Sequence, residues 1–414
     1  MQEVVIILGA SALQVPLINF VKQKGYFVIV VSIPGNYPGF SLADKAVFLD
    51  VRDVNGIYAA VKDYHIVSVL TDETDIAVPT VAALAKKLHV EGNDPRTASI
   101  YANKFLMREA CRQTGVPVPK YTLISNTEDI TKKMNSIKFP AIMKPEDNQG
   151  SRGVFKVSSH KDILRNFQES QSYSTTGNVI VEEFFKGKEV VCEGFVLDGE
   201  YLNWGFADRT YFDAEDIFIP SQTIFPSYIP IHIKDKIIES EQRLHNKLRP
   251  HFGMIHSEYL YDDTSGEYVL VETSLRGGGV YISSHLIPLY TSYNNYELLF
   301  SCSLGKMPSI NDISSQISHN AAGYLCFSLP EGEVVSLAGI SEIKAMPGVI
   351  HAYVDDIKVG MKTSKMKDKT MRMGPIIIST DDRATLEAII RDIRNTLSIT
   401  VRCNDGSLKG VIWD

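Results

Sequence analysis

The stretch HSEYLYDDTSGEYVLVETS, residues 256–274, decides how the middle of this chain folds. Its centre, DDTSGE, combines residue types that are typical of tight turns, and residues that favour β-strands flank it on both sides. The pattern therefore predicts a β-hairpin. If the turn centres near Ser265, Glu258 and Glu272 lie directly opposite each other on neighbouring strands. Their β carbons would then be about 5 Å apart on one face.

Two carboxylates at that separation repel each other unless a cation lies between them. Glu258 and Glu272 would offer hard oxygen ligands, which suit Mg²⁺, an ion that commonly also takes phosphate oxygens. Two alternatives stay open for this motif alone. The glutamates could be exposed residues of a hairpin, or one of them could pair with Arg276.

The hairpin runs directly into SLRGGG, residues 274–279. An arginine suits bidentate binding of a carboxylate or phosphate, and glycines allow the backbone to approach a ligand closely. We therefore expect Arg276, with Gly277 and Gly278, to lie at a substrate. The alternative is a surface Arg–Glu pair followed by a loose turn.

A second polar, glycine-rich segment lies further upstream, in EDNQGSRGV, residues 146–154, directly after Lys144 and Pro145. Gly150 and Gly153 would let backbone N–H groups turn toward an anion, and Ser151 adds a hydroxyl donor. The segment is a candidate triphosphate cradle, although it is not a Walker A sequence. A flexible surface turn is the alternative.

The segment VIVEEFFKGKE, residues 179–189, combines a buried strand with acids and aromatics. An extended backbone here could pair with the edge of an adenine, and Phe185 could pack on its ring. Glu189 could accept hydrogen bonds from ribose hydroxyls. For the aromatic residues, packing in a protein core is the alternative.

The two ends of the chain follow different patterns. Apolar strands at Val4–Leu8, Tyr26–Ser32 and Val67–Thr71 lie between helices, which predicts a parallel sheet covered on both faces. The GAS of residues 9–11 is only part of a dinucleotide fingerprint, so we do not expect NAD. The C-terminal hundred residues mix short strands with an amphipathic helix, Asp382–Leu397. The fold class is thus α/β and α+β, in several domains.

The composition excludes several classes of protein. The chain has 414 residues, 44% hydrophobic and 22% charged, which is typical of two to four globular domains. A net charge of −7 gives no reason to expect nucleic acid or an anionic membrane as a partner. Five scattered cysteines without a CxxC favour neither disulfides nor zinc. No signal peptide or membrane span is apparent, so we expect a cytoplasmic protein.

The order of these motifs resembles the ATP-grasp superfamily. Lys104 on a helix, Lys144, the glycine loop, EEFFKGKE, the two glutamates and Arg276 follow one another as they do in that family. Within it the chain is most similar to carboxylate–amine ligases. These include the biotin carboxylase and carbamoyl-phosphate synthase group, phosphoribosylglycinamide synthetases and L-amino acid ligases. The stretch GMIHSEYLYDDTSGEYVLVETSLRGGG, residues 253–279, resembles the L-amino acid ligases best.

The resemblance implies three domains. These are a parallel-sheet pre-ATP-grasp domain at 1–102, an ATP-grasp domain at 103–307 with a lid at about 118–187, and a small α+β domain at 308–414.

It also implies roles for matching residues. The expected ATP-binding residues are Lys104, Lys144, Gly150, Ser151, Gly153, Glu182, Glu183, Phe185 and Glu189. The expected ligands of Mg²⁺ or Mn²⁺ are Glu258, Glu272 and Ser274. The expected catalytic residue is Arg276. The candidate substrate contacts are His256, Arg209, Gly277 and Gly278. The family commonly has Asn where this chain has Ser274, which puts one metal site in doubt.

The implied function is an ATP- and Mg²⁺-dependent ligase that activates a carboxylate as an acyl phosphate and joins it to an amine, for which an amino acid is the candidate. The implied partners are small-molecule carboxylates and amines, and a homodimer is a further expectation. Two alternatives stay open: a ligase using phosphoribosylamine or bicarbonate, and a non-catalytic ATP-binding module.

Overall fold

The protein was analysed as a computed structural model that describes residues 2–148, 150, 152–213, 219–366 and 369–414. It forms two compact units. The first comprises Met1–Trp204, Ile229–Ser284 and Asn294–Ile317, and the second comprises Gly205–Tyr228, His285–Tyr293 and Ser318–Asp414. The three-domain division at 102/103 and 307/308 stays a prediction.

The secondary structure of the described residues mixes short strands and helices throughout. The strands are β1 Val4–Leu8, β2 Phe27–Ser32, β3 Lys45–Phe48, β4 Ile66–Leu70, β5 Tyr121–Ile124, β6 Ala141–Pro145, β7 Phe155–Val157, β8 Val179–Glu183, β9 Lys188–Leu197, β10 Glu200–Tyr211, β11 Pro220–Phe225, β12 Phe252–Tyr261, β13 Tyr268–Ser274, β14 Ala321–Phe327, β15 Gly332–Ala338, β16 Val349–Ala352, β17 Lys362–Thr363, β18 Met373–Thr380, β19 Ser398–Cys403 and β20 Leu408–Lys409. The helices are α1 Val15–Gln23, α2 Pro38–Leu42, α3 Val54–Val61, α4 Val78–Leu88, α5 Pro95–Ala102, α6 Lys104–Thr114, α7 Thr127–Lys133, α8 His160–Ser172, α9 Ile231–Leu248, α10 Ile287–Thr291, α11 Asn295–Ser303, α12 Ile310–Ser314, α13 Ile340–Ala345 and α14 Arg383–Thr396.

The first unit begins with a four-stranded parallel sheet of order β3-β2-β1-β4. All five residues of β1 are buried, as expected of a strand covered on both faces. The predicted parallel sheet is therefore confirmed. Between β1 and α1 the chain makes a short 3-10 turn, Ala12–Gln14, because Ser11 and Gln14 form a reciprocal capping box there.

A second sheet of the first unit is antiparallel, with the order β5-β8-β6-β7. Its central pairing places Lys144 of β6 opposite Ile180 of β8, and Glu182 opposite Ile142. Helices α7 and α8 pack on this sheet around a core that includes Ile130, Phe167 and other apolar residues. The sequence predicts a helix at Lys104–Thr114 closed by Gly115, and α6 has these bounds. The φ of Gly115, 68°, suits glycine.

A third sheet region of the first unit contains β13-β12-β9, all antiparallel. The hairpin predicted from residues 256–274 is confirmed in its register, because Glu258 pairs with Glu272 and His256 pairs with Ser274. A register shift follows Glu258, so the two strands are offset toward the turn. The hairpin itself therefore places Glu258 opposite Glu272 and His256 opposite Ser274.

The second unit contains antiparallel pairings of β10 with β11, β11 with β14, β14 with β18, and β18 with β16. A smaller sheet has the order β17-β15-β19-β20. Helix α14 is one residue shorter at each end than predicted, because Asp382 is its N-cap and accepts from the backbone N of Thr385 at 2.9 Å.

The described residues contain no helix that is both long and apolar enough to cross a membrane. The five cysteines are free thiols, four of them buried.

Candidate active site

The opposed glutamates of the hairpin lie beside a lysine from another element. The Glu258 side chain is 16% exposed and that of Glu272 is 27% exposed. Lys104, the first residue of α6, places its Nζ 2.9 Å from Glu272 Oε1 and donates to the carbonyl oxygen of Asn148 at 2.8 Å. Burial would lower the pKa of Lys104, but the carboxylates of Glu272, Asp75 and Glu182 together outweigh it and raise the pKa.

These carboxylates fit a divalent cation that is shared with a ligand. Glu258 and Glu272 share one face, and their oxygens are the hard donors that Mg²⁺ prefers. Among the described residues no group of three or more His, Cys, Asp or Glu side chains is placed to hold a metal ion. The two glutamates would therefore need further oxygens from a bound phosphate or from water.

Ser274, predicted as a third metal ligand, already has a partner. Its hydroxyl donates to Asp75 Oδ1 at 2.6 Å, and Arg276 donates to the same carboxylate from Nε at 2.7 Å and Nη2 at 3.0 Å. Burial alone would raise the pKa of Asp75, but Arg276 and Ser274 outweigh it and lower the pKa to about 2. Ligation of a metal by Ser274 stays a prediction.

Sequence reasoning missed Asp75 altogether. It lies in the 3-10 turn Asp75–Ala77, just after the parallel strand β4, far along the chain from Arg276. A usable signal existed, since the segment after β4 reads TDETD, and acids at the carboxyl end of a parallel strand often reach a ligand crevice.

The glycines after Arg276 are needed for close packing. A β carbon on Gly277 would lie 2.2 Å from the Ser283 β carbon, and one on Gly278 would lie 2.4 Å from Glu193 Oε1. Asp72 accepts from the Gly277 backbone N at 3.2 Å and from the Ser283 hydroxyl at 2.6 Å. The segment is therefore held in place by Asp72, a buried acid that follows β4. Substrate contact by Gly277 and Gly278 stays a prediction.

His256 connects two carboxylates on the same face as the metal candidates. Its Nδ1 makes a hydrogen bond with Glu193 Oε1 of β9, and its Nε2 lies 3.3 Å from Glu258 Oε1. Burial would lower the pKa of His256, but the Glu193 and Glu258 carboxylates together outweigh it and raise the pKa. Glu193 was another residue that the sequence did not single out.

Lys144 also pairs with a carboxylate. Its Nζ lies 2.6 Å from Glu182 Oε2, and the guanidinium of Arg108 binds Glu182 Oε1. Burial would raise the pKa of Glu182, but Arg108 and Lys144 outweigh it and lower the pKa to about 2. The structure thus brings Lys104, Lys144, Glu182 and Glu272 into one network of charges around α6, in which only Glu272 is partly exposed.

The glycine loop lies between β6 and β7, and the linker after β8 leads into β9. Gly150 and Gly153 have φ values of +76° and +71°, where other residues would be strained. Ser151 lies outside the described residues. A cavity of about 490 Å³ is lined by Glu183, Phe184 and Phe185 of the linker, together with residues 117–120 and 266–269. The roles of the loop glycines, Glu183 and Phe185 in ATP binding stay predictions.

Two further predicted residues lie on strands β9 and β10. Glu189 lies on β9 opposite Leu260 of β12, and its contact with ribose stays a prediction. Arg209 belongs to the second unit, where it is buried on β10 opposite Thr223 of β11. Its contact with a substrate also stays a prediction.

Comparison with known proteins gives two family matches within this chain. Residues 137–284 match the ATP-grasp domain, and residues 325–402 match the L-amino acid ligase C-terminal domain 2. The first match includes Lys144, both hairpin glutamates and Arg276.

Curated relatives point to the same group. An L-arginine-specific L-amino acid ligase of Bacillus subtilis is 25% identical over 303 residues, which cover 69% of this chain and 68% of that protein. A formate-dependent phosphoribosylglycinamide formyltransferase of Prochlorococcus marinus is 26% identical over 194 residues, 44% of this chain. The chain spans about half the length of that relative, 48%.

The fold agrees with a solved structure. The L-amino acid ligase from Bacillus licheniformis superimposes with a TM-score of 0.80, 19% identity, and coverage of 96% of this chain and 98% of that one. At this identity the likeness shows the fold. The family matches show that the chain contains an ATP-grasp domain at residues 137–284, followed by a C-terminal domain of the L-amino acid ligase type at residues 325–402.

Proposed function

We propose that this protein is an ATP- and Mg²⁺-dependent ligase that activates a carboxylate as an acyl phosphate and joins it to an amine, releasing ADP and phosphate. The observation that carries the proposal is the Glu258–Glu272 pair beside Lys104. Two carboxylates and a lysine on one surface suit a magnesium-bound triphosphate, since the ligand supplies the oxygens that the protein lacks.

The charges of the site support a role in binding ATP. Lys104 and Lys144 each pair with a carboxylate, so neither ammonium is buried without a counter-ion. We infer that both lysines turn to the phosphates when ATP binds. Glu258 and Glu272 would hold Mg²⁺, which when bound neutralises charge on the phosphates. The cavity lined by Glu183 and Phe185 is our candidate for the adenine.

Arg276 is our candidate for holding the acyl phosphate or the substrate carboxylate. Asp75 fixes two of its nitrogens, and Nη1 donates to the Gly277 carbonyl oxygen at 2.7 Å. The guanidinium is therefore oriented before any substrate arrives, and a preorganised cation stabilises developing negative charge at little reorganisation cost. Its positive charge is offset by Asp75, so Arg276 supplies orientation as much as net charge.

For the amine we propose an amino acid, because residues 325–402 match a domain named for L-amino acid ligases. The similarity to a phosphoribosylglycinamide enzyme keeps a phosphoribosylamine-type substrate as the second candidate. The cytoplasmic location and the homodimer expected from the sequence stay predictions.

The test is ADP release by the purified full chain with Mg²⁺ and ATP. Pairs of amino acids, phosphoribosylamine with glycine, and bicarbonate would be offered separately. ADP release that requires two amino acids, with a peptide bond seen by mass spectrometry, supports the proposal. Turnover only with phosphoribosylamine or bicarbonate would replace the substrate class. ATP binding without ADP release on any substrate would favour a non-catalytic module.

A further inference from the structure

Arg108 is a fully buried arginine that no motif singled out. It lies one helical turn after Lys104 on α6. Its Nε donates to Glu182 Oε1 of β8, and its Nη2 donates to the Val271 carbonyl oxygen of β13 at 2.6 Å. One guanidinium therefore joins the sheet that carries Lys144 to the strand that carries Glu272.

Glu182 is shared by two cations that are held differently. Arg108 is fixed by Glu182 and by the Val271 carbonyl, whereas the Lys144 ammonium has an ion pair with Glu182 only, among the described contacts. Burial lowers the pKa of Lys144, and the nearby positive charges of Arg108 and Lys104 lower it further, against the pull of Glu182. Lys144 is thus the cation that can leave at the smaller cost.

One hydrogen-bond donor of Arg108, Nη1, is not used in these contacts. This Nη1 is buried and has no hydrogen-bond partner among the residues that the structure describes. Two cations and one carboxylate leave a surplus of positive charge in this group. A buried guanidinium that is rigid and always charged suits a lasting counter-ion, whereas a lysine on a flexible stem suits a contact that is exchanged.

We propose that Arg108 is a positioning residue for ATP, which keeps the Glu182 carboxylate paired when the Lys144 ammonium turns to the phosphates of the nucleotide. The inference rests on the proposed function, because it takes Lys144 as a phosphate ligand. Without Arg108, the movement of Lys144 would leave Glu182 as a buried carboxylate with no counter-ion, which is strongly unfavourable.

The experiment measures equilibrium binding of a non-hydrolysable ATP analogue with Mg²⁺, and of adenosine, to the full chain. Arg108→Met should bind the analogue at least about 30-fold more weakly, the lower end for removing one partner of a buried charge pair. Adenosine has no phosphate, so its affinity should stay within about twofold. A purely structural role would weaken both ligands together, and that result would overturn the inference.

A second measurement tests the route through Glu182. In the double variant Arg108→Met/Glu182→Gln no carboxylate needs a counter-ion, so at least about tenfold of the lost affinity should return. An equal penalty for Arg108→Met in the Glu182→Gln background would contradict the inference. If Arg108→Met does not fold, Arg108→Lys replaces it. This variant keeps the charge and should bind the analogue within about tenfold, and a larger loss with adenosine binding unchanged would overturn the inference.

Arg112 supplies the matched control. It lies one turn further along α6, with its side chain 65% exposed, and pairs with Glu109 at 2.7 Å. Arg112→Met should leave both affinities unchanged. If the wild-type chain binds no ATP analogue at all, the proposed function fails. If the wild type binds and Arg108→Met binds equally well, only the inference on Arg108 fails.

Discussion

The two faces of strand β12 hold their charged and polar groups in opposite ways. On one face the Tyr259 hydroxyl donates to Glu241 Oε1 at 2.5 Å, and Glu241 Oε2 lies 2.8 Å from His245 Nε2. His245 Nδ1 is in turn 2.7 Å from the Tyr101 hydroxyl, and both Glu241 and His245 have no exposed surface. On the other face, the neighbouring residue Glu258 is partly exposed and lies opposite Glu272.

The difference separates a structural network from a site. Around Glu241 every described partner is another fixed side chain of the fold, so the network is complete without any ligand. The partner of Glu272 is Lys104, whose ammonium lies at the end of a flexible stem, 2.9 Å from Glu272 Oε1. The side chain of Glu272 itself is 27% exposed. Buried groups with permanent partners stabilise the fold, whereas carboxylates with exchangeable partners are available for chemistry.

The largest expected effect is at the face of β12 that carries Glu258, which we call the open face. Glu272→Gln removes the charge opposite Glu258 and should lower the rate of ADP release by about 1,000-fold, the scale of losing a main electrostatic contact in a transition state. The melting temperature should change little, because the side chain is partly exposed. Asp263→Asn, on the exposed hairpin turn, is the control. Normal turnover in Glu272→Gln would contradict the assignment of Glu272 as a ligand of Mg²⁺.

At the face of β12 that carries Tyr259, which we call the closed face, a substitution should lower stability and leave ATP binding intact. Glu241→Ala leaves Tyr259 and His245 without their buried partner and should lower the free energy of unfolding by about 3 kcal/mol. Urea denaturation measures this loss, with Glu239→Ala on the exposed side of α9 as the control. The folded fraction should keep its affinity for the ATP analogue. A variant with full stability and weak ATP binding would reverse our assignment of the two faces.

A smaller effect is expected at Asp75, which links the open face to the parallel-sheet region. Its pKa is lowered from 3.8 to about 2, so the pairing with Arg276 stabilises the fold above pH 4 and is lost as the pH falls through 2. Asp75→Asn should therefore lower stability by about 2 kcal/mol at pH 7, with the difference from the wild type shrinking toward pH 2. Denaturation curves between pH 2 and 7 measure it, with the exposed Asp63→Asn as the control. A difference that does not depend on pH would contradict this pairing.

The smallest effect is expected at Ser274. Its size distinguishes a hydrogen-bond donor to Asp75 from a ligand of Mg²⁺. If the hydroxyl serves only Asp75, Ser274→Ala should lower stability by about 1 kcal/mol and leave the apparent Mg²⁺ affinity nearly unchanged. If Ser274 is a metal ligand, the concentration of Mg²⁺ needed for half-maximal ADP release should rise by about 10-fold or more. Titration of Mg²⁺ in the activity assay separates the two outcomes.

Local patterns alone were sufficient for much of the fold. The hairpin register of Glu258 with Glu272 and the bounds of Lys104–Thr114 follow from a turn signal and from caps within the same segment. The partners of these residues could not be read in the same way. Glu193, Asp75 and Arg108 come from distant segments or lack a motif, and only the packed chain brings them to His256, Arg276 and Glu182.

The sequence by itself determined which residue types are available to hold a magnesium-bound triphosphate, and in which order, because strand alternation and turn chemistry act over a few residues. Only the tertiary structure decided which charges neutralise one another. Lys104 pairs with Glu272, Lys144 and Arg108 share Glu182, and Asp75 binds both Ser274 and Arg276. The physical reason is that a buried charge takes the partner that packing places within a few ångströms, whatever their separation along the chain.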